Sequence, residues 1–156
     1  MTKNNFDLTS QFREDLMTAY RAVAPRCWTQ EEAWVKTANH PAPRYYVCPE
    51  HAFNIMRVMA VGDFSVVNSM KNPLSRAKYY SLFDKLKKES ERKCYIGKSL
   101  RFICDFLVLL PAPSFFVEPE TVRQIFHYYK KHGREFRYNV IHKEYFKHEK
   151  KKEHKD

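Results

Sequence analysis

Ten residues of this chain are written twice, and that recurrence constrains the fold more than any other feature. Pro41-Ala42-Pro43-Arg44-Tyr45-Tyr46-Val47-Cys48-Pro49-Glu50 returns as Pro111-Ala112-Pro113-Ser114-Phe115-Phe116-Val117-Glu118-Pro119-Glu120. The offset is 70 residues without a gap, and Ile55 and Ile125 keep the register beyond it. Upstream, Thr29 matches Ser99, and both residue types cap helix N-termini well. An ordered recurrence of this kind predicts two copies of one structural unit.

Each copy reads as helix, capped second helix, extended connector and third helix. In the first, Phe12, Leu16, Tyr20 and Val23 share one face of a helix over about residues 10–24, which Pro25 closes. Residues 1–8 are polar and are expected to fray. Thr29-Gln30-Glu31-Glu32 is a capping box. It opens a helix to about Asn39 with Ala33, Trp34, Thr37 and Ala38 inside. Pro41 and Pro43 lack the amide hydrogen a helix needs, so the connector is extended. Pro49 suits the first turn of a third helix, which buries Ala52, Ile55, Met56 and Met59 and stops at Gly62. After a short connection, the second copy has helices over about 74–92, 100–110 and 119–132, with Gly133 as the last stop. The middle one is apolar nearly all round, which predicts a seam between the units or a dimer surface. The expected architecture is all-α: two tandem tri-helical units, residues 10–62 and 73–133, and a basic tail, 134–156.

Composition narrows the function. With only 3 glycines in 156 residues the chain has neither GxGxxG nor GxxxxGK[ST]. Lys and Arg number 28 against 18 Asp and Glu, a formal charge of +10, and an excess of this sign draws polyanions. From residue 130 onward ten basic residues face five acidic ones, so half of the excess lies there. Cys27, Cys48, Cys94 and Cys104 form no CxxC pair and read as reduced, mostly buried thiols in a cytoplasmic protein. No apolar stretch suggests a secretory signal or a membrane span.

The order of elements resembles tri-helical helix-turn-helix domains, in which the third helix enters the DNA major groove. The connector, about residues 40–48, is longer than the usual three or four residues of that motif. Residues 41–48 are also similar to a Pro-Ala-Pro-Arg-Phe-Tyr-Val-Ser signature of small basic bacterial proteins, with Tyr45 for Phe and Cys48 for Ser. That second resemblance implies no particular activity.

The helix-turn-helix resemblance implies that the outer faces of the third helices read nucleic acid. On the first these are His51, Asn54 and Arg57; on the second, Thr121, Gln124 and His127. An amide such as Asn54 or Gln124 can bond both N6 and N7 of adenine, and an arginine can address guanine or phosphate. Arg44 in the connector, with Lys130, Lys131 and Arg134, could clamp phosphates. The bland reading of the same side chains is the solvated face of amphipathic helices. Tyr45, Tyr46, Phe115 and Phe116 could stack on bases, but a proline-flanked connector needs apolar anchors, and the core role is preferred.

Catalysis has little to stand on. Cys48 and His51 lie close in sequence, yet the second copy has Glu118 and Thr121 there, and no HExxH occurs. The expected protein is a non-enzymatic nucleic-acid binder, DNA before RNA, acting as an accessory regulator without cofactor or metal. The alternative is a protein-interaction adaptor with an exposed apolar surface, and membranes are not an expected partner.

Overall fold

The computed structural model describes residues 2–132, with side chains from Leu8 to Lys131. Among the described residues the chain is all-α, with no strand. The helices are α1 (Thr2–Val23), α2 (Gln30–Ala38), α3 (Pro49–Ala60), α4 (Ser65–Asn68), α5 (Pro73–Glu89), α6 (Leu100–Leu107) and α7 (Pro119–His132). Short 3-10 turns at Ala24–Arg26 and Lys93–Tyr95 follow α1 and α5.

Local chemistry sets the helix ends. Thr29 Oγ1 accepts the Glu32 amide at 3.1 Å, and Glu32 Oε2 reaches back to the Trp28 amide at 3.0 Å, so two orphan donors of α2 are satisfied together. Ser99 caps α6 through the Phe102 amide at 3.2 Å. Prolines 49, 73 and 119 occupy first-turn positions, where a missing N–H costs nothing. Three boundaries differ from the sequence reading. α5 ends at Glu89 rather than near Arg92. α1 already begins at Thr2. α6 stops at Leu107, three residues short of the expected Leu110, because the chain turns there to enter the second connector.

The helices pair across the repeat. α2 packs on α1 and α7, whereas α6 packs on α5 and α3. The third helix of each sequence unit therefore lies on the first two helices of the other. Tyr20 of α1 meets Phe126 of α7 with ring centroids 4.8 Å apart, and Trp34 of α2 meets His127 at 6.1 Å. In the other set, His51 of α3 meets Tyr79 of α5 at 5.8 Å. The expected closure of residues 10–62 and 73–133 each on its own three helices is thus not the packing adopted. The long connectors carry α3 and α7 across.

The connectors meet in the middle. Ala42 and Ala112 form an antiparallel bridge and are both almost wholly buried. Tyr45 stacks on Phe116 with ring centroids 6.3 Å apart, and Tyr46 stacks on Phe115 at 6.0 Å. Each contact has its counterpart with the copies exchanged, the reciprocity of a two-fold relation. Tyr45 is buried, donates its amide to Val108 O at 2.9 Å and pairs its hydroxyl with Ser81 Oγ at 2.7 Å. These aromatics are core anchors, as their proline-flanked setting predicts.

α6 does lie in a seam between the two sequence units, against α3, but it is buried on one side only. Ile103, Cys104, Leu107 and Val108 face inward, but Phe102, Phe106 and Leu109 are 39%, 46% and 54% exposed. The connectors add to the join made by the crossed third helices, α3 on α6 and α7 on α2.

Candidate nucleic-acid interface

The outer face of α3 is set by which of its residues α5 and α6 cover. Ala52, Ile55, Met56 and Met59 point inward at helical spacing. His51, Asn54 and Arg57 are consequently exposed, as the spacing predicts. Between them Phe53 is half-buried and carries two cations. The Arg57 guanidinium lies 6.0 Å from its ring centroid and that of Arg101, from α6, lies 4.4 Å away. An aromatic face attracts a guanidinium and holds its plane. Two forks with fixed positions thus stand beside an exposed amide. Arg101 is a site residue that sequence reasoning missed, since nothing in α6 alone points to a phenylalanine on another helix.

The matching face of α7 has different chemistry. Gln124 and His127 are exposed, and Thr121 is half-buried. On this face Arg123 of α7 stands where α3 has Phe53, and Glu31 of α2 stands where α6 has Arg101. Arg123 is tied to Glu120 in an ion pair. Glu120, beside Arg123, is held below the usual carboxylate range. Glu32 is likewise lowered by its partner Lys36. Both faces carry exposed carboxylates, Glu50 and Asp105 on one and Glu31 and Glu120 on the other, but among the described residues Arg57 and Arg101 form no ion pair whereas Arg123 does. Lys130 and Lys131 are exposed at the C-terminal end of α7. Arg134 and the rest of the tail lie outside the described residues.

Arg44 sits apart from both triplets' outer faces. It is half-buried, donates Nε–H to Tyr45 O at 3.1 Å and lies 5.8 Å from the Tyr46 ring centroid. Burial lowers its pKa, opposed by Tyr46 and Asp15. Arg44 opens onto two hollows, and His51 and Asn54 line a third; all three adjoin at Leu8.

The four thiols are free, and no three His, Cys, Asp or Glu side chains gather as a metal site among the described residues. No described helix is long and apolar enough to cross a membrane. No protein-family model, curated protein or solved structure matches this chain.

Proposed function

We propose that this is a non-enzymatic nucleic-acid-binding protein, DNA before RNA, that acts in the cytoplasm as an accessory regulator. One observation carries the reading: Arg57 and Arg101, from two helices, are both held on Phe53 beside the exposed Asn54. Guanidiniums fixed in this way can bond phosphates or a guanine edge, and the neighbouring amide can address adenine. The face on α3 and α6 is favoured over that on α7 and α2, where Glu31 stands in the place of Arg101 and Arg123 is already tied to Glu120. Arg44 and the basic residues from Lys130 onward add phosphate affinity that is independent of sequence.

The test is fluorescence anisotropy on mixed-sequence duplex DNA across a salt series. Full-length protein, a chain ending at Gly133 and an Arg57→Ala/Arg101→Ala double variant are compared. Removing two phosphate contacts should lower the slope of log K against log salt by about 2. A double variant indistinguishable from the native protein would exclude this face. Binding lost entirely with the tail would leave the folded helices without a role in it.

A second reading, a protein-interaction adaptor, has its own observation. Phe102 and Phe106 of α6, with Leu109 just beyond its end, are exposed apolar side chains, and the Phe102 and Phe106 rings lie 5.1 Å apart. The same positions of the first copy hold Glu32, Lys36 and Asn39. Exposed apolar groups of this kind mark contact surfaces. Absence of DNA binding even at low salt would favour this reading.

A further inference from the structure

The two connectors and α1 border an open cavity of about 250 Å³ next to α5. Phe12, Tyr46, Phe115 and Phe116 line it, and the charged groups at its wall are Arg44 and Lys78. The apolar walls are braced. Tyr46 stacks on Phe115, Phe12 meets Tyr46 edge-on at 5.1 Å, and the Tyr46 hydroxyl donates to Asp15 Oδ2 at 2.5 Å.

The two cations are unusually placed. Lys78 has no carboxylate partner among the described residues; its ammonium lies 5.2 Å from the Tyr79 ring centroid. Burial pushes its pKa down. Arg44 is half-buried too and spends its one hydrogen bond on a neighbouring carbonyl. Asp15, whose charge acts on Arg44, already accepts the Tyr46 hydroxyl. Taking two cations out of water without pairing them costs stability. An anion between them would offset that cost.

The backbone adds an independent sign. Phe116 has φ of 54°, in the left-handed region that disfavours a bulky side chain. Such strain persists where the surroundings hold it, and it gathers at ligand clamps. Here it places the Phe116 ring at the cavity wall and against Tyr45.

We propose that this cavity is a binding site for a small aromatic anion: a carboxylate or phosphate ester carried on one ring. The ring lies against Phe12, Tyr46 and Phe115, and the anionic group sits between Arg44 and Lys78. Pockets for drug-sized ligands usually run to roughly 300–1,000 Å³, so a single-ring ligand is the right scale. The site shares Arg44 with the nucleic-acid reading, but its walls do not include Asn54, Arg57 or Arg101, and Lys78 belongs to this site alone, so Lys78→Gln separates the two.

Isothermal titration calorimetry on the full chain tests it, with benzoate and phenyl phosphate as probes. Acetate, inorganic phosphate and benzyl alcohol supply the charge or the ring alone. At least one ring-bearing anion should bind about tenfold or more tighter than every control, and the better of the two identifies the anionic group. Lys78→Gln should weaken that binding about tenfold, Arg44→Gln likewise, and the exposed Lys71→Gln not at all. Lys78 is half-buried and glutamine keeps much of its aliphatic stem, so the variant should fold, which circular dichroism verifies. Ring-bearing anions that bind no better than the controls would overturn the proposal. So would affinity unchanged in a folded Lys78→Gln protein.

Discussion

Ala42 and Ala112, 70 residues apart in the chain, exchange both backbone hydrogen bonds, at 3.0 Å and 2.9 Å. The pair marks where the two connectors touch. It is also where α3 and α7 diverge to the opposite halves. Neither half keeps the helix that completes its own sequence unit. The arrangement predicts that the chain can be cut but not halved. Residues 1–71 and 72–156, made separately, should each lack a cooperative thermal transition. Mixed, they should form a one-to-one complex and recover helicity, read by circular dichroism and size-exclusion chromatography. A half that melts cooperatively as a monomer would contradict the crossed packing.

The two helix caps give a second prediction. Thr29 and Ser99 each accept one amide, but Thr29 also has Glu32 returning a bond to the Trp28 amide, while the residue in Glu32's position after Ser99 is Phe102. Removing a cap of this type costs about 1 kcal/mol. Thr29→Ala and Ser99→Ala should each lower unfolding free energy by about that amount in urea melts. Phe102→Glu should supply the missing return bond and recover part of it, by a few tenths of a kcal/mol or about 0.5 kcal/mol.

Much of this was legible in the chain itself. Caps, prolines and helical spacing act locally, so Thr29, Ser99, Pro49 and Pro119 placed four helix starts closely, and Ala52, Ile55, Met56 and Met59 were read as an inner stripe. The crossing was not legible. A stripe on α3 states that a face is buried without naming what buries it, and the stripes of α3 and α7 are chemically alike. The fate of α6 was hidden for a related reason. Apolar residues all round suggested full burial, yet Phe102, Phe106 and Leu109 remain on the surface because no helix lies over them. Of the candidate site, the outer faces of α3 and α7 were found by period alone. Arg101 and Lys78 escaped, since each gains meaning only from a ring or a cavity supplied by distant residues.

Thiol reactivity separates the cysteines. Cys94 is exposed, whereas Cys104 is fully buried and burial pushes its thiol up to about 11. The thiolate is the reactive form. At neutral pH a maleimide should modify Cys94 first and leave Cys104 unmodified until the protein unfolds, as followed by peptide mass spectrometry. Cys104 labelling at the rate of Cys94 in the native protein would mean that the core opens locally.

Alkaline pH should unfold the protein through its tyrosines. Burial raises the pKa values of Tyr45, Tyr46 and Tyr79, and it pushes Tyr129 up to about 12. An unfolded tyrosine ionises near about 10. Above that pH the unfolded chain sheds protons that the folded chain keeps, so the folded state binds more protons and stability falls with rising pH. The contribution of these groups is complete below about 10 and is lost as pH climbs through the folded values, for Tyr129 about 12. Tm should therefore be steady near neutrality and drop steeply above about pH 10, in step with native phenolate absorbance lagging that of the denatured chain. Tyr46→Phe removes both the hydroxyl and its bond to Asp15. It should cost about 1.5–3 kcal/mol near neutrality, the range for hydrogen bonds to charged groups, while making the alkaline decline shallower. A Tyr46→Phe protein with an unchanged alkaline slope would show that the Tyr46 hydroxyl is not among the groups that drive it.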